Sequence, residues 1–250
     1  MSGHSKWSQI KRQKGATDAK RGQVFTKLGR ELSVAAREGG PDPSGNARLR
    51  LAIQRARESN MPMENVERAI KKGSERNEGA GLEEIVYEGY GPGGAAIMVE
   101  ALTDNRNRAA AELRNVFTRA GASLGESGCV AWLFDQRGVL TVELNGKIDA
   151  DLVALETIDS GADDVQVSDG TLEIYTEPAN MENVRQHLEK THVPVASVEI
   201  NRIAKTDLQL DEKDALSVLR LLDKLEELDD VQRVYTNVDF SAEVVQKYQG

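Results

Sequence analysis

The stretch GVLTVELNGKIDADLVALETIDSGADDVQVSDGTLEIYT, residues 138–176, decides how the second half of the chain folds. It alternates between strand and helix patterns, and the alternation continues to residue 201. The segments are the strand Gly138–Leu144, the helix Ala150–Ser160, the strands Val165–Ser168 and Thr171–Thr176, the helix Met181–Lys190 and the strand Val195–Asn201. This β-α-β-β-α-β order is the signature of a ferredoxin-like fold. The sequence therefore predicts a ferredoxin-like domain over residues 136–205.

The residues on either side of this domain predict a second α+β domain into which it is inserted. Before it, the patterns indicate strands, a helix and a strand: Glu84–Tyr90, Ala95–Leu102, Asn107–Ala120 and Cys129–Phe134. After it, Asp211–Leu228 forms a leucine-rich helix and Val231–Val238 a final strand, which would complete the sheet. We assign residues 79–135 together with 206–240 to this domain. With the helices described next, the chain is predicted to be an α+β multidomain protein.

The first part of the chain has the periodicity of three short amphipathic helices. The first covers Gln23–Glu38, the second is capped by Asn46 and runs to about Ser59, and the third lies between Asn60 and Gly73. Three such helices predict a basic helical bundle over residues 23–78.

The arginines and lysines of these helices have predictable positions around each helix axis. In the first helix, Lys27, Arg30 and Arg37 lie opposite the apolar side, which predicts an outward-facing cationic surface. In the second, Arg48 and Arg55 flank the apolar stripe on one side. Arg50 and Arg57 flank it on the other.

Charge divides the chain more sharply than its total of −9 suggests. Residues 1–80 contain 17 Lys/Arg and 9 Asp/Glu, whereas the other 170 residues contain 15 Lys/Arg and 32 Asp/Glu. Such an asymmetry indicates a nucleic acid or another anionic partner for the basic part. The alternative is that basic and acidic domains simply pack against each other.

Residues 1–22 form a basic arm. They cannot bury enough apolar surface to offset the entropy of ordering, so we expect a mobile segment. Its cations would neutralise phosphates, while Trp7 could stack on an unpaired base. The alternative is a solubilising tail, or a Trp7 that folds back onto the bundle. The predicted nucleic-acid-binding residues, from the arm and the first helix, are Lys6, Trp7, Lys11, Arg12, Lys14, Lys20, Arg21, Lys27 and Arg30.

Other patterns argue against an enzyme, a cofactor or a metal site. Gly89–Gly94 matches G-x-G-x-x-G, but a strand follows it rather than a helix, so we predict a turn between strands. Cys129 is expected to fill a core position, and the histidines lack metal-site spacing. Asp229 and Asp230 lie near an element end, where solvated acids are ordinary. We predict no catalytic residue, no metal and no cofactor.

Nothing in the sequence predicts a membrane protein. Its apolar runs are far shorter than the roughly 20 residues that a spanning helix needs, and no secretory signal is evident. One cysteine cannot form an internal disulfide, which agrees with a reducing compartment. We therefore expect a cytoplasmic protein with no membrane partner. The oligomeric state is not predictable from these patterns.

The segment Thr103–Arg108 is a second candidate site. Asp104 or Asn105 is positioned to cap the helix that follows. Arg106 and Arg108 are unexpected there, because cations oppose the dipole of a helix start. They indicate an external anion, an acidic partner or an ion pair within the chain.

Four ordered motifs resemble the YebC/PmpR family, whose relatives include the mitochondrial translational activator of cytochrome oxidase subunit I. The motifs are GHSKW at 3–7, NMPM with RAIKKG at 60–73, YEGYGPGG at 87–94 and LTDNRNR at 102–108. The resemblance implies a helical domain and two α+β domains around a cleft. On that basis the predicted cleft or partner-binding residues are Tyr87, Tyr90, Asp104, Arg106 and Arg108.

The resemblance also implies a function. Family members are commonly labelled regulators that bind DNA and control transcription in the cytoplasm. Others look like translation factors that bind ribosomal RNA and relieve stalling at proline-rich stretches on the ribosome. A protein-interaction adaptor without nucleic acid is the further alternative. The sequence does not separate duplex DNA from ribosomal RNA as the partner.

Overall fold

The computed structural model describes residues 18–75, 81–144, 148–168 and 170–249. The chain divides into two compact units, one formed by residues 134–205 and the other by the described residues on both sides of that segment. The helices are α1 Asp18–Gly39, α2 Ala47–Glu58, α3 Met63–Ser74, α4 Arg106–Arg119, α5 Ala150–Asp159, α6 Met181–Lys190, α7 Glu212–Glu226 and α8 Ala242–Gln249. The strands are β1 Glu83–Tyr90, β2 Ala96–Thr103, β3 Ser123–Leu124, β4 Phe134–Glu143, β5 Ala162–Ser168, β6 Thr171–Thr176, β7 Val195–Ala204 and β8 Val231–Thr236.

Helices α1, α2 and α3 form the predicted bundle around buried leucines, alanines and valines such as Leu32, Leu49 and Val66. The predicted cap Asn46 is confirmed, because its Oδ1 accepts a hydrogen bond from the Leu49 amide at 3.0 Å. Its Nδ2 also donates to the Ala35 carbonyl at 2.8 Å and so joins α2 to α1. A Cβ on Gly73 would lie 2.1 Å from the Ser33 carbonyl oxygen, which shows how closely α3 approaches α1.

The sheet of the larger unit has the strand order β3-β1-β2-β8, and every pairing in it is antiparallel. Side chains of α4 and α7 pack with one face of this sheet in a core that includes Phe117, Leu222 and Ile97. The predicted turn between β1 and β2 is confirmed: Gly93 and Gly94 have φ of 66° and 80°, a conformation that favours glycine.

The prediction of a strand over Cys129–Phe134 is wrong. The third strand position is filled instead by β3, and Ala131–Leu133 is a short 3₁₀ turn. The cause is the buried carboxylate of Glu88, which accepts hydrogen bonds from the amides of Gly128, Val130 and Ala131 at 2.7–2.8 Å. These hydrogen bonds hold residues 128–131 in a loop. Phe134 then begins β4, which belongs to the other sheet.

The smaller unit, residues 134–205, has the predicted β-α-β-β-α-β order. Its antiparallel sheet has the strand order β5-β6-β4-β7, which is that of a ferredoxin-like fold. A Cβ on Gly138 of β4 would lie 3.1 Å from Met181 of α6, so α6 packs closely against the face of the sheet on which Gly138 lies. The α+β multidomain fold predicted from the sequence is confirmed.

Candidate nucleic-acid interface

Asp230, the residue immediately before β8, has a buried carboxylate that contacts three side chains. Its side chain is 6% exposed and lies 2.7 Å from Nη1 of Arg30 and 2.9 Å from Nη2 of Arg108. The hydroxyl of Thr103 donates a third hydrogen bond at 2.8 Å. We call this set the Asp230 cluster. It joins α1 of the bundle to β2, α4 and β8 of the α+β domain.

The cluster keeps Asp230 ionised. Burial alone would raise the pKa of Asp230, but the hydrogen bonds from Arg108, Thr103 and Arg30 hold that pKa below its usual value. The expectation that Asp230 is a solvated surface acid is therefore wrong. Its burial depends on Arg30, 200 residues earlier in the chain, and no local pattern around Asp230 signals it.

The prediction that Lys27 and Arg30 face outward is also wrong. Lys27 donates to the carbonyl of Glu226 at 2.6 Å, and Arg30 donates to that of Asp229 at 2.6 Å. Glu226 is the last residue of α7, where unpaired carbonyls and the helix dipole attract cations. The cations of this side of α1 thus dock the bundle onto the end of α7. Arg37 is exposed and donates to the Leu82 carbonyl.

The two sides of α2 that flank its apolar stripe differ in whether their arginines pair with carboxylates. On one side, Arg55 lies 2.7 Å from Glu31 of α1, and Arg48 lies 2.6 Å from Glu38 and also contacts Glu84. Burial raises the pKa of Glu31, although Arg233 and Arg48 act in the opposite direction. This side of α2 is therefore neutralised by carboxylates within the chain.

The other side of α2 and the outer face of α3 expose cations to solvent. Arg50 and Arg57 are seven residues apart and so lie two turns, about 10 Å, apart on one side of α2. Arg68 and Lys72 are neighbours on α3 at i,i+4 spacing. The exposed set, which we call the bundle cations, consists of Arg50, Arg57, Arg68, Lys71 and Lys72.

Among the described residues, the partners of the bundle cations are weak ones. Arg50 donates to the Pro43 carbonyl at 2.9 Å, Arg68 donates to the Asn65 side chain at 2.6 Å, and Lys71 lies 4.0 Å from Glu75. Such exposed contacts are weak and are readily exchanged for a phosphate. These residues were not predicted as ligands from the sequence, although helix geometry placed Arg50 and Arg57 on one side of α2.

Most of the predicted nucleic-acid-binding arm lies outside the described residues. This applies to Lys6, Trp7, Lys11, Arg12 and Lys14. The backbone of Lys20 lies in the first turns of α1, but its side chain is outside the described part. Arg21 is exposed on α1, with its guanidinium 5.9 Å from the centre of the Phe25 ring.

The structure brings together four of the five predicted partner-binding residues. Asn105 caps α4, Asp104 lies 2.8 Å from Arg108, and the Tyr87 hydroxyl donates to the Arg106 carbonyl at 3.2 Å. Arg106 itself is exposed, with Nε 3.7 Å from Glu83.

Tyr90 lies apart from this group. It is three residues further along β1 than Tyr87, on the opposite face of the strand, because side chains alternate along a strand. Its hydroxyl donates to the Cys129 carbonyl at 2.9 Å, and Nε1 of Trp132 donates to the same carbonyl at 3.1 Å. Burial raises the pKa of the Cys129 thiol, which disfavours a reactive thiolate.

Two features are absent from the part of the chain that the structure describes. No group of three or more His, Cys, Asp or Glu side chains there is arranged to hold a metal ion. None of the helices there combines the length and the apolar character that crossing a bilayer requires.

Comparison with protein families gives a match over almost the whole chain. A model described as the TACO1/YebC protein N-terminal domain matches residues 5–76, and one described as the TACO1/YebC second and third domain matches residues 82–238. The chain belongs to the TACO1/YebC family. The family resemblance of the sequence motifs is thereby confirmed.

Several TACO1/YebC relatives are similar to this chain over their full length. A protein of Dehalococcoides mccartyi is 57% identical over 99% of this chain and 98% of its own. Proteins of Chloroflexus aurantiacus and Geobacter sulfurreducens are 54% and 50% identical, each over 99% of both chains. All three are named "probable transcriptional regulatory protein", which supports a regulator.

A solved structure agrees with the fold. The crystal structure of a conserved hypothetical protein from Aquifex aeolicus matches with a TM-score of 0.82 and 47% sequence identity. The match covers 90% of this chain and 92% of that one.

Proposed function

We propose that this chain is a non-enzymatic regulator of gene expression that binds nucleic acid through the cations of its first eighty residues. The observation that carries the proposal is the segregation of charge, with 17 Lys/Arg against 9 Asp/Glu in residues 1–80 and 15 against 32 in the rest. A polyanion is attracted to the first part and repelled by the second, which orients the encounter.

The proposed interface combines the arm with the outer surface of the bundle. Its phosphate contacts come from Lys6, Lys11, Arg12, Lys14, Lys20 and Arg21 and from the bundle cations. Lys27 and Arg30 serve a different purpose in this proposal, because their contacts with α7 and Asp230 hold the bundle in place. Trp7 stacks on a base where the strand is unpaired, for roughly 1–3 kcal/mol. Arg106, exposed at the start of α4, is a further proposed contact.

Duplex DNA is the proposed ligand, in line with the names of the TACO1/YebC relatives. Contacts made by arginine and lysine to phosphates position a protein without specifying sequence. We therefore expect weak discrimination among duplexes. Ribosomal RNA is the competing ligand and is compared in the same experiment.

The experiment measures binding of the full chain by fluorescence anisotropy to a promoter duplex, to the unpaired strand and to a ribosomal RNA fragment. Charge reversal at Lys11, Arg12 and Lys14 is expected to weaken binding to every sequence and to lower the salt slope by about one per lost contact. Arg57→Glu with Lys72→Glu tests the bundle in the same way. Arg114→Glu, an exposed arginine of α4, is the matched control and should bind normally.

The outcomes separate the three hypotheses. Tighter binding to duplex supports the DNA regulator, whereas tighter binding to the ribosomal fragment replaces it by a ribosome-associated translation factor. Recovery of the protein with ribosomes or with chromosomal DNA at two salt concentrations checks the choice in cells. Trp7→Ala should lower affinity for the unpaired strand more than for duplex. Binding to neither polynucleotide leaves the protein-interaction adaptor.

A further inference from the structure

The outer face of α5 is apolar where a solvent-facing helix is normally polar. Leu152, Leu155 and Ile158 are 54%, 64% and 54% exposed. Residues three apart are neighbours on a helix surface, so these side chains form one continuous stripe. The opposite side of α5 already fills the core of its unit with Val153 and Thr157, which are buried. The stripe is therefore not needed for packing within residues 134–205.

The adjacent edge strand extends this apolar surface. Val167 of β5 is 57% exposed. Val167 pairs with Leu172, which in turn pairs with Val142 of β4, so the three side chains lie on one face of the sheet. This is the face of Gly138, against which α6 packs. Strand β5 is an edge strand of its sheet. Together, the three side chains of α5 and Val167 form what we call the α5 patch. Contiguous exposed apolar surface of this kind marks sites of protein interaction.

Acidic residues surround the α5 patch. Asp151 and Asp159 are exposed on α5, and Glu156 is half-buried between them. Residues 148–184 contain no lysine or arginine, and residues 134–205 contain six Lys/Arg against fourteen Asp/Glu. Asp163, at the start of β5, is paired with Arg137 at 2.8 Å, whereas Asp151 and Asp159 lie beside the stripe itself. The patch is thus an apolar strip with an anionic border.

We propose that the α5 patch docks a basic amphipathic helix of another protein. The apolar side chains of such a partner would cover the stripe, while its lysines or arginines would meet Asp151, Glu156 and Asp159. Two copies of this chain joined through the patch would bring like charges together, which is unfavourable. The border therefore selects a cationic partner over a second copy. This inference does not depend on nucleic-acid binding, because the patch belongs to a different compact unit from the bundle cations.

The test uses the full chain and two synthetic peptides of leucine and lysine, each of about 18 residues or five helical turns. One peptide places its leucines on one helix face, and the other has the same composition with leucines distributed around the helix. Fluorescence anisotropy is expected to show binding of the first peptide about tenfold or more tightly than the second. The second peptide has the same charge but no apolar face, so its affinity measures the attraction by charge alone.

Three variants assign the binding to the patch. Leu155→Ser with Ile158→Ser is expected to lower affinity for the amphipathic peptide about tenfold, because it removes apolar area that the peptide buries. Asp151→Asn with Asp159→Asn leaves the stripe intact and is expected to weaken both binding and its salt dependence. Val86→Ser changes an exposed apolar residue of the other unit and should bind like the unmodified chain.

Equal affinity for the two peptides overturns the proposal, and so does full affinity in the double serine variant. A loss in Val86→Ser as large as that in the double serine variant also contradicts it. Sedimentation provides an independent check. A dimer of the unmodified chain that the serine substitutions dissociate would show that the occupant is a second copy.

Discussion

Replacing Asp230 by asparagine is expected to loosen the bundle from the α+β domain without unfolding either part. Asparagine keeps the shape of the side chain but removes the charge that Arg30 contacts at 2.7 Å and Thr103 contacts at 2.8 Å. A hydrogen bond to a charged group contributes about 1.5–3 kcal/mol, and Arg30 is only 24% exposed, so we expect a loss of about 2–3 kcal/mol. Arg108 is more exposed, and solvent screening makes its share smaller.

Hydrogen exchange followed by mass spectrometry suits this prediction, because unfolding of several domains together is not a two-state process. The amides of α1 should exchange faster in Asp230→Asn, while those of β4 and β6 in the other unit should not change. A double-mutant cycle with Arg30→Met isolates the pair, with an expected coupling of about 1–3 kcal/mol. Unchanged protection of α1, or a coupling near zero, would refute the assignment of Asp230 as the residue that joins the two parts.

The remaining predictions concern pH and two close contacts. The pKa of Asp230 is lowered in the folded chain, so its stabilisation is present above about pH 4 and is lost as pH falls further. The protection factors of the α1 amides, which compare the observed exchange rate with the intrinsic rate at the same pH, should therefore fall in acid, and less so in Asp230→Asn. Gly73→Ala places a Cβ 2.1 Å from the Ser33 carbonyl and should lower the opening free energy that hydrogen exchange measures for α3 by about 1–3 kcal/mol or more, whereas Gly29→Ala meets no atom within 4 Å and should leave that free energy unchanged. Glu88→Gln removes the charge that organises residues 128–131 and should change the fluorescence of Trp132. Glu126→Gln, in the same loop, is the control and should not change it. Identical spectra for the two variants would contradict the role of Glu88 in organising the loop.

The sequence predicted the bundle helices, the cap and the element order of the smaller unit correctly, because these depend on interactions between residues close together in the chain. The three bundle helices follow from amphipathic periodicity, and the cap at Asn46 follows from the need of the first amides for an acceptor. The ferredoxin-like unit follows from element order, because few arrangements satisfy β-α-β-β-α-β. The separation of Arg48 and Arg55 from Arg50 and Arg57 also follows from helix geometry alone.

Features that depend on distant partners could not be predicted in this way. Glu88 acts on amides about forty residues later, so the loop at 128–131 has no local signature. Lys27 and Arg30 occupy the polar side of α1, yet this side meets the end of α7 rather than solvent. A helical wheel shows which side is polar but not whether another polar surface covers it. The burial of Asp230 could not be predicted for the same reason, because it depends on Arg30 and Arg108, which are distant in the sequence.

The attraction of the cationic first part of the chain to nucleic acid is tested most directly by the salt dependence of the binding constant. With about five of the proposed cations in contact with phosphates at one time, log K on a DNA duplex should fall with log salt at a slope near −4 to −5. Charge reversal at Lys11, Arg12 and Lys14 should bring that slope closer to zero. Absence of binding to duplex and RNA even at low salt, or a slope that the three substitutions leave unchanged, would contradict the account.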